Sequence, residues 1–372
     1  MKKKLIIGID ASRSNVRERT GTEYYSYEII KELIKSKEAD FRLYSKTPLG
    51  YLPKLDNVKN KVMKFPRLWS QIRLSIEMIS NPPDVLFVPA HTIPIFHPKK
   101  TVTTLHDLGF KHFPELYTPL ERYYHDFSMG FAVRHATKII AISHATKNDL
   151  IKIYKADPKK IEVIYHGFDR EKYYPLESSE KIPDDIKTLG PYIFFIGRLE
   201  AKKNVKTLIK SYGLLRENSN IKHKLVLAGR PGYQYEEIKD EINRLPFEIR
   251  NDVVELGYVE DKKATYLTRC ADIFAFPSFF EGFGMPILEN MASGVPIVGS
   301  NTTSIPEIAG DCALLSEPKD EIALASNMRK LIEDKDFRDN LVKKGLKRAE
   351  LFSWEKCARE TLDVTAGLLA DI

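Results

Sequence analysis

Asp272-Ile-Phe-Ala-Phe-Pro277-Ser-Phe-Phe-Glu281-Gly-Phe-Gly-Met-Pro286-Ile-Leu-Glu289 reads as a strand, a loop and the start of a helix. The run to Phe276 is short, apolar and rich in aromatic and β-branched residues, which suits a buried strand. Pro286 suits the first position of a helix, where its missing N–H costs nothing. A strand that feeds a helix through a glycine loop opens a βα unit, so this stretch predicts an α/β fold with a parallel sheet.

Outward from it the same rhythm recurs. Tyr192–Ile196, Leu225–Ala228, Val253–Leu256 and Ile297–Val298 are short apolar runs, each followed by a glycine, proline or acidic turn and a helical pattern. Leu5–Ile9, Val85–Val88, Val102–Leu105, Ile139–Ile142 and Ile161–Ile164 repeat the pattern in the first half. Between them, around Tyr173–Pro191, the periodicity fades into a polar stretch rich in breakers. A chain of 372 residues exceeds what one core usually organises. The expected organisation is therefore a doubly wound domain over 1–172, a linker over 173–191, a second doubly wound domain over 192–353, and a last helix, 354–372, capped by Ser353. A cleft between the two domains follows as an expectation.

With 43% hydrophobic and 29% charged residues, and no apolar stretch near the length of a membrane span, the composition is that of a globular domain pair. The positive start, Met1–Lys4, precedes an apolar run too short for a signal peptide, and Leu5–Ile9 reads as a first strand. Cys270, Cys312 and Cys357 are too few and too widely spaced for a disulfide framework or a metal knuckle, which suggests a cytoplasmic setting. Charge is uneven: residues 1–175 hold 30 Lys and Arg against 19 Asp and Glu, whereas the remainder holds 28 against 32. Phosphorylated lipid, an anionic membrane, nucleic acid, or simple solubility would each account for the basic half. No RNA- or DNA-binding module signature accompanies it.

Gly282 and Gly284 let the backbone approach a ligand, and the amides opening the next helix attract anions. Glu281 and Glu289 add acceptors for hydroxyl groups. A carboxylate beside an anion-binding loop suits a ligand that carries both phosphate and hydroxyls; a solvated glycine turn is the plainer alternative. Gly197-Arg198-Leu-Glu-Ala-Lys202-Lys203-Asn204 follows a strand in the same way, so Arg198 and Lys203 project from a carboxyl edge where open sheets bind ligands. Cations there would stabilise charge growing on a departing diphosphate. In the first half, His106 and Asp107 stand where a strand meets a loop, which makes His106 the catalytic candidate of that domain. Gly21 precedes a helix after the first strand. Neither G-x-G-x-x-G, G-x-x-x-x-G-K-[ST] nor G-x-S-x-G occurs, which weakens dehydrogenase, phosphate-hydrolysing and nucleophile-elbow readings.

Taken in order, Gly21, His106, Gly197-Arg198, Lys203 and Glu281-x7-Glu289 resemble the retaining glycosyltransferases of family 4, whose fold is GT-B. Ile142-Ser-His-Ala-Thr, Tyr165-His-Gly-Phe-Asp169, Leu227-Ala-Gly-Arg230, Leu256-Gly-Tyr-Val-Glu260 and Ser304-Ile-Pro-Glu307 extend the resemblance over nearly the whole chain. It implies two Rossmann-like domains, transfer of a sugar from a nucleoside-diphosphate donor with retained configuration by same-face attack, and no tightly bound metal or other cofactor. It implies that Arg198 and Lys203 clamp the diphosphate. Glu281 and the amides of Phe283, Gly284 and Met285 would hold the donor sugar and phosphate, Glu289 the ribose, and His106 the reacting sugar. Gly229, Arg230, Tyr258, Val259 and Glu260 would border the base, and Gly21 the diphosphate. The final helix would return to the first domain.

Two positions depart from the pattern: Ala201 stands for a common proline, and Asn204 for a common glycine, which predicts altered loop stiffness. Pro89-Ala-His-Thr-Ile-Pro94 and the stretch His106–Tyr117 are similar to those of bacterial surface-polysaccharide mannosyltransferases, which points to GDP-mannose as donor, with UDP-glucose and UDP-N-acetylglucosamine as alternatives. The expected acceptor is a glycan or a polyprenyl-diphosphate-linked chain, reached at the inner face of the cell membrane through the basic first domain and its aromatic Tyr117–Phe131 helix. A GT-B-like epimerase and a non-catalytic sugar-nucleotide or glycan binder are the competing readings.

Overall fold

The computed structural model describes residues 4–16, 19 and 21–368. They form two compact units, one of residues up to Gly167 together with those from Phe352 onward, the other Phe168–Leu351.

The first unit holds a seven-stranded parallel sheet of β1 (Leu5–Asp10), β2 (Ala39–Ser45), β3 (Val58–Val62), β4 (Val85–Val88), β5 (Thr101–Leu105), β6 (Lys138–Ala141) and β7 (Ile161–Val163). Its order is β3-β2-β1-β4-β5-β6-β7. Two of these strands are absent from the apolar runs visible in the sequence, for physical reasons. In β3 the sequence Val-Lys-Asn-Lys-Val alternates at a half-exposed sheet edge, and in β2 Arg42 interrupts the run but escapes burial by donating to the Asn81 carbonyl at 2.8 Å. The final helix, Trp354–Gly367, lies on this unit. Ser353 caps it by accepting from the Lys356 amide, and the Trp354 ring packs 5.9 Å from Tyr24 and 5.6 Å from His166. Residues 369–372, which the sequence reading included in this helix, lie outside the described residues.

The second unit holds β8 (Tyr192–Ile196), β9 (Lys224–Ala228), β10 (Val253–Gly257), β11 (Ile273–Phe276), β12 (Ile297–Ser300) and β13 (Ala313–Ser316), all parallel, in the order β10-β9-β8-β11-β12-β13. β13 is an edge strand that the apolar runs of the sequence do not reveal. Its core is aliphatic and aromatic, with Ile193, Phe195, Leu225, Leu227, Ile273 and Val298 fully buried. Residues 173–191, which the sequence suggests as a linker, belong to this unit. Arg269 donates to the Tyr174 carbonyl at 2.8 Å and pairs with Glu180, and Ile186 of the short helix Asp184–Lys187 is buried.

Both sheets run outward from their first strand and then reverse, so each has a switch point: between β1 and β4 in one, between β8 and β11 in the other. Open α/β sheets bind ligands outside the carboxyl ends of the strands at such a point. Among the described residues no helix is long and apolar enough to cross a membrane.

Candidate functional site

At the switch point of the second unit the loops after β8 and β11 are stitched together. The Phe279 amide donates to the Lys202 carbonyl at 2.9 Å, and the Asn204 side chain donates to the Pro277 carbonyl at 3.0 Å and the Pro318 carbonyl at 2.6 Å. Asn204 is left-handed, with φ 56°, which explains why glycine suits this position. The departure noted in the sequence thus exchanges glycine's freedom for two side-chain bonds that fix the loop.

This stitching brings Lys203 and Glu281 together. Lys203 Nζ donates to Glu281 Oε1 at 2.6 Å and lies 5.4 Å from the centre of the Phe276 ring. The two side chains are only 17% and 12% exposed, so the pair is largely desolvated and each charge depends on the other. Arg198 differs: its side chain is 64% exposed, and its nearest carboxylate, Glu200, is 3.9 Å away. Of the two cations expected to clamp a diphosphate, one is already committed to a carboxylate and the other reaches into solvent.

The glycine loop is held from the turn after β12. Ser304 donates to the carbonyls of Glu281 at 3.0 Å and Phe283 at 2.9 Å, and the Glu281 amide donates to Thr303 Oγ1 at 3.1 Å. Thr303 sits at φ 53°, a conformation disfavoured for a β-branched residue and kept by these contacts. Ser304 was visible as part of a motif, but its role as a clamp depends on which loop it meets. Gly284, at φ 96°, caps helix Met285–Ala292, and Gly282 lies half-buried between Glu281 and the buried Phe283. Glu289, in that helix, is partly buried. Desolvation, with the Asp261 and Asp169 carboxylates, pushes its carboxyl up to about 8 against the opposing effects of Lys172 and Tyr173. Lys172 bonds Asp261 at 3.0 Å and pairs with Asp169 at 3.5 Å, a charge network that no sequence motif places beside Glu289.

The loops after β8, β9 and β10 are equally close. Gly197 donates to the Ala228 carbonyl and Gly229 to the Gly257 carbonyl at 2.7 Å. A Cβ at Gly229 would fall 1.7 Å from the Gly197 oxygen, so glycine is the residue this approach permits. The Arg230 guanidinium lies 4.5 Å from the centre of the exposed Tyr258 ring, with Val259 half-buried and Glu260 exposed beside it. The residues expected to border a base therefore present a planar cation stacked on an aromatic ring.

In the first unit Gly21 is the first residue of helix Gly21–Leu33, with open space around it. His106 follows β5 and is buried. Its Nε2 lies 3.1 Å from the Pro89 carbonyl, which only accepts, so Nε2 carries the hydrogen. Burial holds the imidazole below its usual pKa and therefore neutral, against the raising effect of that bond. The Tyr25 ring meets it edge-on at 4.9 Å. Nearby, His91 is pushed down to about 3 by burial, with Arg13, His125 and His106 adding to the effect. The sequence singled out His106 alone; the histidines around it, His91 and His166, come from the loops after β4 and β7.

Two doubly wound units, with glycine loops and a cation–carboxylate pair at a switch point, define the GT-B class. The Glycosyltransferase Family 4 model matches residues 20–172 and the Glycosyl transferases group 1 model matches residues 179–348. O-antigen chain mannosyltransferase B of Escherichia coli is 31% identical over 269 residues, covering 71% of this chain and 70% of that protein. O-antigen chain mannosyltransferase RfbU of Salmonella typhimurium is 23% identical over 329 residues, covering 84% and 87%. Among solved structures, sucrose-phosphate synthase from Thermosynechococcus elongatus superposes with a TM-score of 0.75 over 99% of this chain and all of that one, at 16% identity. The chain belongs to the family 4 glycosyltransferases.

Proposed function

We propose that this glycosyltransferase moves a hexose, mannose in our reading, from a nucleoside diphosphate to a glycan or lipid-linked acceptor in cell-surface polysaccharide synthesis, with retention of configuration. The observation that carries the reading is the Lys203–Glu281 pair at the switch point, 2.6 Å apart and mostly out of water. A donor with diphosphate and sugar hydroxyls suits both halves of that pair: phosphate takes the lysine and the freed carboxylate accepts hydroxyls.

Arg198, free to swing, closes on the diphosphate and stabilises the charge of the leaving group, which an enzyme without a tightly bound metal must supply from side chains. Glu281 and the amides of Phe283, Gly284 and Met285 hold the sugar and phosphate, and Glu289 holds the ribose. Gly229, Arg230, Tyr258, Val259 and Glu260 border the base, and Gly21 borders the diphosphate. His106, neutral, is assigned to the reacting sugar as a hydrogen-bond partner rather than a charge. No side chain is assigned as nucleophile; the departing phosphate takes the acceptor's proton in same-face attack. Mannose and the surface-glycan acceptor rest on what the two O-antigen relatives are named for.

A thermal-shift comparison of GDP-mannose, UDP-glucose and UDP-N-acetylglucosamine, followed by transfer to an oligosaccharide acceptor and NMR of the new linkage, tests this. The expected result is the largest shift with GDP-mannose and an α-linked product. Conversion of the donor to an epimer without acceptor would replace the reading with the epimerase alternative.

A further inference from the structure

Ile142-Ser-His-Ala-Thr146, part of the family resemblance, takes no part in the donor contacts assigned above. It follows β6, the neighbour of β5, and opens the helix His144–Tyr154. Ser143 caps that helix by accepting from the Thr146 amide at 3.0 Å. The Ser143 hydroxyl donates in turn to Thr146 Oγ1 at 3.1 Å, and the Thr146 hydroxyl donates to the His106 carbonyl at 3.1 Å. Ser143, Thr146 and His106 are all buried. A threonine in a helix often bonds a carbonyl three or four residues back along its own chain. This one reaches instead to the end of another strand.

The ladder between β5 and β6 ends with Leu105 opposite Ala141, so the His106 carbonyl lies one residue beyond the last backbone pairing. A buried carbonyl left there without a donor would be costly, and Thr146 supplies the donor. The imidazole is held separately. Its Nε2 donates to the Pro89 carbonyl in the loop after β4, and the Tyr25 ring meets it edge-on from the helix after β1. The Tyr25 hydroxyl lies 3.0 Å from Thr104 Oγ1, on β5 itself. A ring fixed at one nitrogen still pivots about that bond. Once the main chain is fixed as well, Nδ1, the acceptor nitrogen of this tautomer, has a single direction.

We propose that Thr146 is a positioning residue for sugar transfer: its hydroxyl, itself held by Ser143, anchors the His106 main chain and so aims the Nδ1 lone pair at the reacting sugar. The inference rests on the assignment of His106 to that sugar. Its effect falls on kcat, because misplacing a reacting partner by about 1 Å costs up to roughly a hundredfold in rate, while the contacts assigned to the diphosphate and base stay untouched.

Three variants of the full chain test it: Thr146→Val, which keeps the buried volume and loses the hydroxyl, Thr146→Ser, which keeps the hydroxyl, and His106→Ala. Each is assayed for transfer with whichever of GDP-mannose, UDP-glucose and UDP-N-acetylglucosamine supports it, and by NMR of 15N-labelled histidine without donor, where His106→Ala identifies the His106 signals. Thr146→Val should lower kcat about tenfold to a hundredfold, leave the donor KM within about twofold and shift the His106 imidazole signals. Thr146→Ser should restore most of kcat and return the signals to their wild-type positions. Ser143→Ala, which loosens the same chain of hydrogen bonds while leaving the Thr146 hydroxyl present, should lower kcat about threefold or more, and it decides the matter if Thr146→Val does not fold. Wild-type kcat in Thr146→Val, or in Ser143→Ala where it stands in, with His106→Ala inactive, would overturn the proposal and leave the reading of His106 intact. A loss in Thr146→Val that Thr146→Ser does not restore, or that leaves the His106 signals in place, would reduce Thr146 to packing. Wild-type kcat in His106→Ala would remove the reading of His106 and this inference with it.

Discussion

The two units share a strand order through their first six strands but equip their switch points differently. In the second unit the backbone makes the site: Gly229 lets its loop approach Gly197 to within atomic contact, Gly284 opens a helix from φ 96°, and the short Lys203–Glu281 ion pair grows out of loops already bonded to each other. In the first unit side chains make it, with His106 held neutral by burial and packed against Tyr25, and Gly21 opening a helix. The contrast teaches where tolerance lies. A backbone-built site gives way when a Cβ is added, whereas a side-chain-built site responds to pH and to loss of a ring.

The sharpest way to break the comparison is Gly229→Ala. A methyl group 1.7 Å from the Gly197 oxygen forces the β8 and β9 loops apart, and we expect a loss of ~3 kcal/mol or more in urea unfolding together with loss of nucleotide binding. A variant as stable as wild type would mean the loops part freely. Next in size, Glu281→Ala should cut turnover about a hundredfold, since contacts that tighten in the transition state act on kcat. Unchanged turnover would remove Glu281 from the site.

Smaller effects separate the two cations. Arg198→Ala should weaken nucleoside-diphosphate binding by about 1.5–3 kcal/mol in calorimetry without altering the melting temperature, because Arg198 is exposed and only loosely paired. Lys203→Ala should weaken binding similarly and also destabilise the chain, leaving Glu281 part-buried without its partner. Lys203→Met with Glu281→Gln should regain part of that stability but no binding. Equal stability in all three variants would show that the pair is open to water.

The smallest prediction concerns pH and sets the units against each other. A carboxyl raised to about 8 in the folded chain favours folding fully below its ordinary value near 4.5 and loses that contribution as pH rises to about 8, so Glu289 weakens the protein toward alkaline pH. Histidines held neutral act oppositely: the contribution of His91 and His106 is present above the unfolded value near 6.5 and is lost as pH falls below it. Glu289→Gln should therefore flatten the alkaline fall of the melting temperature and leave the acid fall in place. A parallel wild-type curve between pH 5 and 8 would show Glu289 ionised in the folded chain.

How far this was legible follows from particular residues. The inner strands β1, β4 to β6, β8, β9, β11 and β12 and the paired domain architecture declare themselves in apolar runs because a parallel strand covered on both faces has no polar side to show, and β7 and β10 show short apolar runs although they lie at edges. β3 and β13 lie at edges, where pairing rather than composition makes the strand, and they do not. Glu281 and Glu289 are conspicuous because carboxylates seldom flank a glycine loop. Thr303 and Lys172 are ordinary residues in sequence and acquire meaning only from what they meet, and Ser304, visible in a motif, shows its role as a clamp only through the carbonyls it bonds.

By itself the sequence determined which loops carry chemistry, through glycine, proline and charge placed after strands, since backbone freedom and charge are local properties. Only the tertiary structure decided that Lys203 is bound to Glu281 while Arg198 is not, that Asn204 holds two distant carbonyls, and that the Thr146 hydroxyl meets the His106 carbonyl. Those facts depend on which strands lie side by side, and adjacency in a doubly wound sheet is set by crossovers that no local pattern records.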